Sequence, residues 1–530
     1  MLACTKLGIP FVPLVIDGPH GVGPARMKAI LEDCQAEAAI VTMTLPPMDN
    51  HQEDEDYDWE NRPAMASTTG INIDRHASVI KLNAHNIHRI VSVNALDGCV
   101  LHPMLDSFDQ ESIILPSSIL QDESVLYLLY TSGSTGRPKA VVQSHGAFKS
   151  RMTWGWKTFP FVQQLKRNWG AKETRKRLQE DGVVDDDYGT IGDVVMRRTP
   201  LMFVDSMTEI FGSLLAGVPL WCRVPSPQEI QMDRMWTQDI AECLDLAMKH
   251  DVHISRITCL PSQFNQVLNI QKDSKCKSDC SKDERVYEWK IHLNLVIVSG
   301  EPCPNTLPTL FEEVMAKCHN QAALLVNLYG QTETSGDVLC LIVGYNKKGS
   351  MNRFPNAEKY TWKKNKIMSQ EDRSYQHKSK EMSLDTLDNI ERMTKSLVPC
   401  GLPIDGHSFL FANMDKQPLG GNNVDLVTFD NEEGIGRLYV KGPGVALGYL
   451  NCSNEMHNNF CENETHCKRS SGYIFNTQDV AFRDKQTGLF YIVGRAPSID
   501  GNGNLNHSLT TGKVNGKTRQ YLSIEIAFVS

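Results

Sequence analysis

Short apolar runs recur along the chain at Phe11 to Ile16, Ala38 to Thr42, Val125 to Tyr130, Ala140 to Val142, Leu293 to Val298 and Leu324 to Leu328. They are too short for buried helices and are apolar on both alternating faces, so they predict strands covered on both sides. Between them, Ala25 to Cys34, Thr208 to Leu215 and Trp236 to Lys249 carry apolar residues three and four apart and predict helices with one buried face. Such alternation predicts an α/β fold. From about Gly434 the elements shorten, and strands are expected at Gly436 to Lys441 and Gly488 to Val493 between glycine-rich turns. That change of character predicts a smaller, β-rich subdomain. Polar stretches at 49–60, 163–187, 272–284 and 346–396 interrupt the pattern and read as solvated loops without an assigned function.

Composition narrows the classes of function. The 530 residues carry a net charge of −9, which argues against a nucleic-acid or anionic-membrane binder, and 41% apolar residues suffice for a large core. No uninterrupted apolar run reaches the roughly 18 residues of a membrane span. The opening MLACTKLGIPFVPLVIDGPH lacks the layout of a secretory signal, so the expected compartment is the cytoplasm. The 15 cysteines are scattered; Cys276 and Cys280 have no second pair to complete a zinc site, and reduced thiols are expected.

The segment with most chemistry is VLYLLYTSGSTGRPKAVVQSH, from Val125 to His145. An apolar strand feeds eight residues of Thr, Ser, Gly, Arg and Pro before Lys139 opens a second strand. Gly133 and Gly136 allow backbone N–H groups to approach an anion, Thr131, Ser132, Ser134 and Thr135 add hydroxyls, and Lys139 adds positive charge. The pattern is not the G-x4-GK[ST] loop, and a strand follows where that loop precedes a helix.

YTSGSTGRPKA resembles the phosphate-loop signature of the adenylate-forming enzymes: acyl-CoA synthetases, firefly-type luciferases and the adenylation domains of peptide synthetases. Three further segments follow in that family's order. Ser299, Gly300 and Glu301 resemble its GGE segment, Asn327 to Glu333 (NLYGQTE) its second signature, and Gly436 to Leu450 (GRLYVKGPGVALGYL) its GEL to GYL stretch. The resemblance implies that Asn327, Tyr329 and Gly330 belong to the nucleotide site with Tyr329 stacked on adenine. It implies that Thr332 and Glu333 serve phosphate and Mg²⁺, with Glu333 the metal ligand, and that Lys139, Thr332 and Glu333 are catalytic. Asp479 of FNTQD stands where relatives hold the ribose, although Gln478 replaces their glycine, and Arg495 matches a ribose or phosphate contact. Phe203 to Pro219 (FVDSMTEIFGSLLAGVP) resembles the helix entry that selects the acid. Relatives that activate α-amino acids have Asp directly after the Phe; here Val204 stands there and the acid follows at Asp205. That displacement suits an amine farther from the carboxylate, as in a β-amino acid, and most of the chain outside the polar stretches resembles the animal β-alanine-activating branch of the family. The plain alternative is that Asp205 caps a helix starting near Ser206. Phe203, Asp205, Ser299, Gly300 and Glu301 form the expected acid site.

The resemblance implies a large N-terminal domain of two α/β sheet subdomains and a small β-barrel-like one, occupying residues 1–494, with a hinge and the start of a C-terminal lid at 495–530. LACTKLGIPFVPLVID resembles a segment that relatives place roughly a hundred residues into their fold, and Lys513 to Ile526 resembles the beginning of the lid. The expectation is therefore a chain lacking both a first segment and the distal catalytic lysine, with Pro497 at the hinge. The implied reaction is ATP-dependent activation of a carboxylic or amino acid as its adenylate with release of pyrophosphate, then transfer to the thiol of CoA or of phosphopantetheine on a carrier-protein domain. Two alternatives stand beside it: a fatty acyl-CoA synthetase, and a catalytically weak nucleotide-binding pseudoenzyme.

Overall fold

The computed structural model describes residues 1–14, 24–36, 38–43, 120–131, 138–170, 173, 176, 192–222, 240–277, 293–317, 323–345, 354–361, 396–412, 434–451, 459–461 and 474–495, together with short strands at 71–74, 79–82, 89–94, 100–103, 427–428, 498–499, 505–506, 511–514 and 517–520. Its largest sheet has seven strands in the spatial order Leu402–Pro403, Gly336–Tyr345, Leu324–Gln331, Leu295–Val298, Arg256–Cys259, Val195–Arg197 and Leu220–Cys222. The last five run parallel, and Gly336–Tyr345 pairs antiparallel with both of its neighbours. Because successive side chains point to opposite faces of a strand, Leu325 and Val296 pack with Phe264, Leu307 and Phe311 of helices Pro261–Lys277 and Thr306–Lys317. Leu324, Val326 and Leu295 point the other way, toward Trp154 of helix His145–Thr158 and toward Phe354 and Tyr360. Both faces are covered, as the apolar runs predict.

Two antiparallel sheets complete the frame around the site. One has three strands, Gly448–Tyr449, Lys139–Ser144 and Val125–Thr131. The other has six and is built from Ser408–Ala412, Val427–Thr428, Gly434–Lys441, Phe460–Cys461, Ile474–Arg483 and Phe490–Arg495. The β-rich part thus starts earlier than the glycine pattern implies, because Ser408–Ala412 pairs with Gly434–Lys441 along its full length. Among the described residues no helix is long and apolar enough to cross a membrane.

Several boundaries differ from expectation for visible reasons. The predicted helix Thr208 to Leu215 begins one turn earlier, at Val204, with Phe203 as its N-cap in extended conformation. Asp205 therefore lies inside the first turn, and the helix has no side-chain cap. Of Phe11 to Ile16, Phe11 makes an isolated parallel bridge to Tyr127, and 15–16 lie outside the described residues. Three of the polar stretches contain regular structure. Helix Val162–Trp169 occupies the start of 163–187, with Val162 and Leu165 buried; helix Pro261–Lys277 runs on into 272–284. Within 346–396 a 3-10 helix, Pro355–Tyr360, buries Ala357 and Tyr360 together with the preceding Phe354. Their three-residue spacing fits the period of a 3-10 helix and escapes a search for α-helical or strand periods. The stretch 49–60 and hinge residue Pro497 lie outside the described residues.

One buried acid ties the sheet to its neighbouring helix. Asp193 accepts the Val162 backbone N–H at 2.8 Å and the Ser255 hydroxyl at 2.8 Å, and its Oδ2 lies 3.1 Å from Arg256 Nη2. Its side chain is fully buried, so these donors stand in for water.

Candidate active site

The strand Leu324–Gln331 leaves the parallel sheet, makes a single 3-10 turn at Thr332–Thr334, and returns as Gly336–Tyr345. Such a tight return requires Gly330: a Cβ there would lie 2.0 Å from the Gly336 carbonyl oxygen. Replacing Gly330 by Ala is expected to cost about 1–3 kcal/mol or more through backbone displacement, read as a lowered melting temperature together with lost nucleotide binding. Along this one turn, residues 329–337 reach three chemically different groups.

At its start, Tyr329 donates its hydroxyl to Asp479 Oδ2 at 2.6 Å, and Gln331 Nε2 donates to the same oxygen at 2.8 Å. Asp479 and Arg495 are register partners on strands Ile474–Arg483 and Phe490–Arg495, with Arg495 Nε 3.1 Å from Asp479 Oδ1. Burial raises the Asp479 carboxyl above the ordinary range, while Arg495, Tyr329 and Gln331 pull it back. Gln478, standing where relatives have glycine, adopts φ +59°. That left-handed backbone costs a non-glycine residue roughly 1–2 kcal/mol, and bonds from Gln478 to Asn476 and Asn459 hold it.

In the middle, the Glu333 Oε1 accepts the Tyr449 hydroxyl at 2.9 Å, and the Lys139 ammonium sits 5.5 Å from the centre of the Tyr449 ring. Lys139 is the first residue of its strand and pairs with Thr131; Tyr449 pairs with Val141 of the same strand. Gln143 Nε2 donates to the Thr332 carbonyl at 2.8 Å, which fixes the turn against this sheet. Glu333 is raised by burial, and Arg495 and Lys139 both act on it to favour the ionised form. Ser132, Gly133, Ser134, Thr135 and Gly136, expected at the phosphates, lie outside the described residues.

At the end of the turn, Asp337 forms a buried ion pair with Arg151, Oδ2 to Nη2 at 2.6 Å, and accepts the Ser299 hydroxyl on Oδ1 at 3.1 Å. Asp205, in the first turn of helix Val204–Leu214, senses this pair. Burial first, then repulsion from Asp337, push its carboxyl up to about 8, with Arg151 partly opposing.

Other expected residues are placed elsewhere. Asn327 is 3% exposed and donates its amide to the Pro399 carbonyl at 2.9 Å, which makes it a support for the neighbouring segment. Glu301 accepts the Ser262 N–H at the start of helix Pro261–Lys277, away from the Arg151 and Asp337 pair that Ser299 reaches. Gly300 between them takes φ +86°, which lets adjacent residues diverge. Phe203 is 52% exposed at its helix end. Arg151, Asp337 and Tyr449 join the site although none stands out alone in the sequence. Asp337 lies four residues beyond Glu333, a usable signal; Arg151 is 186 residues from its partner and gives none.

Residues 1–378 match the AMP-binding enzyme family. The chain belongs to that family. The Drosophila melanogaster β-alanyl-bioamine nonribosomal peptide synthetase ebony is 22% identical over 377 residues, 71% of this chain and 31% of its own length. A β-alanyl-bioamine nonribosomal peptide synthetase of Schistosoma mansoni is 25% identical over 359 residues, 64% of this chain and 26% of its own. The chain thus spans about a third or less of these relatives. O-succinylbenzoate coenzyme A synthetase of Bacillus subtilis superposes with a TM-score of 0.46 at 14% identity, covering 94% of this chain and 68% of that one. In this AMP-binding enzyme the turn 329–337 reaches, in order, the Asp479 carboxyl paired with Arg495, the Tyr449 hydroxyl whose ring lies near Lys139, and the buried Arg151 and Asp337 pair.

Proposed function

We propose that this chain adenylates a small acid bearing an amine beyond its α-carbon, with β-alanine as the leading candidate. Support comes above all from the half-buried Asp205 carboxylate, which lies one position after the place used for α-amines and sits beside an Asp337 already neutralised by Arg151. A substrate ammonium offers Asp205 the counter-charge that the fold withholds.

In this reading Asp479 receives the ribose hydroxyls, with Tyr329 and Arg495 orienting it, and Tyr329 lies along the adenine. Lys139 attracts the phosphates and, with the hydroxyl-rich loop, stabilises charge as the acid's carboxylate attacks the α-phosphorus and pyrophosphate leaves. Glu333 would hold Mg²⁺: it is a hard oxygen donor, fixed through Oε1 by Tyr449, and Mg²⁺ takes one or two carboxylates beside substrate phosphates. When bound, the ion neutralises phosphate charge. The acceptor is the thiol of CoA or of phosphopantetheine; the peptide-synthetase relatives favour a carrier-protein domain.

The pH dependence follows from Asp205. With its folded value raised to about 8, the stability linked to its neutral form is complete below its ordinary range near pH 4 and is lost as pH rises through about 8. Replacing Asp205 by Asn is therefore expected to raise the melting temperature at pH 8 and leave it nearly unchanged at pH 4. The same variant should lose exchange with β-alanine. In the wild type, kcat/KM for β-alanine should climb as pH approaches 8 while that for acids without an amine stays flatter. Equal losses for β-alanine and butyrate in the Asp205→Asn protein would refute the assignment.

A further inference from the structure

The acids around the substrate end of the site outnumber the cation by one. Arg151 and Asp337 are each at most 7% exposed and paired at 2.6 Å, and Ser299 completes the coordination of Asp337. Asp205 lies in the first turn of helix Val204–Leu214, next to Val204, and its carboxyl feels the charges of both Asp337 and Arg151; among the described residues no ion pair is made to it. The Arg151 Nε is buried without a hydrogen-bond partner, and its guanidinium lies 4.8 Å from the centre of the Trp154 ring, so the group is held by packing as well as by charge. A Cβ at Gly336 would lie 3.7 Å from Val204 and 3.8 Å from Arg151, so the turn brings the start of the Asp205 helix and the Arg151 guanidinium to the same place.

We infer that Arg151 is a built-in counter-cation that sets how many positive charges the acid substrate can carry, limiting it to one. This rests on Asp205 as the partner of the substrate amine. Once a bound ammonium ionises Asp205, with Asp337 ionised and Arg151 protonated, the cluster has a charge of −1 and matches that single ammonium. A second ammonium would meet a guanidinium fixed in a buried ion pair and could not replace it without leaving that cation unpaired, a costly state in low dielectric. Arg151 thus acts on specificity through charge count, and the neighbouring acid remains available for one amine only.

The test compares ATP–pyrophosphate exchange for β-alanine, 2,4-diaminobutyrate and 3-hydroxypropionate near neutral pH, where both amino groups of the diamino acid are protonated. Three forms of the full chain are used: wild type, Arg151→Met, and Arg151→Met with Asp337→Asn. The single variant takes the cluster to −2 and is expected to shift the kcat/KM ratio of diaminobutyrate over β-alanine upward by about tenfold or more. The double variant returns the count to −1 and should restore the preference for β-alanine over both other acids. It also removes both buried charges, so it decides the matter even where the single variant fails to fold. Equal losses on all three acids in the single variant, or loss of the β-alanine preference in the double variant, would overturn the charge-count role while leaving Asp205 in place. Absence of exchange with any amine-bearing acid in the wild type would instead overturn the reading of Asp205 and this inference with it.

Discussion

Replacing Lys139 by Ala is expected to lower acid-dependent ATP–pyrophosphate exchange by about 10²- to 10³-fold, the range seen when one preorganised charge-stabilising group is removed. The reason is positional. Lys139 opens a strand whose partner residue is Thr131, so its backbone is fixed at the root of the hydroxyl-rich loop. Its ammonium stands near Tyr449, whose hydroxyl reaches Glu333. Loss of the cation leaves Glu333 with less compensation just where a polyphosphate brings more negative charge. Lys139 is half exposed at the strand end, and its removal should barely change the melting temperature. Exchange and nucleotide affinity equal to wild type in Lys139→Ala would remove the phosphate assignment.

The second large effect is on stability. Asp193→Ala is expected to destabilise the fold by about 3–5 kcal/mol, because it leaves the buried Arg256 guanidinium without its carboxylate. The Val162 N–H and the Ser255 hydroxyl would also lose their acceptor. Those donors come from the helix Val162–Trp169 and from beside the strand Arg256–Cys259, so the damage spreads between layers. Denaturant unfolding followed by tryptophan fluorescence measures this, since Trp154 and Trp156 lie in the adjoining helix. An unfolding midpoint matching wild type would show that the network contributes little.

How far the sequence reveals this arrangement depends on how local each signal is. The strand Leu324–Gln331 and its turn are legible because the apolar run and the motif NLYGQTE are contiguous, and the run's two faces pack on two different layers. Asp479 and Arg495 are legible for the same reason, each lying in a short recognisable segment, yet their cross-strand pairing appears only when the sheet forms. Arg151 is illegible: it lies in a stretch with no motif of its own, and only the return of Gly336–Tyr345 beside helix His145–Thr158 gives its charge a partner. The helix around Asp205 starts earlier than its periodicity implies because Val204 packs inward with Phe211 and Tyr127, adding a turn before the repeating pattern becomes visible. Tertiary packing overrides local propensity there. The buried 3-10 helix at Pro355–Tyr360 was hidden by its flanking polar residues, since Glu358 and Lys359 face solvent between Ala357 and Tyr360.

The most direct test of the whole account is ATP–pyrophosphate exchange by the purified chain against β-alanine, α-alanine, aminoadipate, butyrate and palmitate. Exchange supported by β-alanine well above the other acids is the predicted result. Exchange with palmitate and none with β-alanine, or no exchange with any acid despite measurable ATP binding, would contradict it.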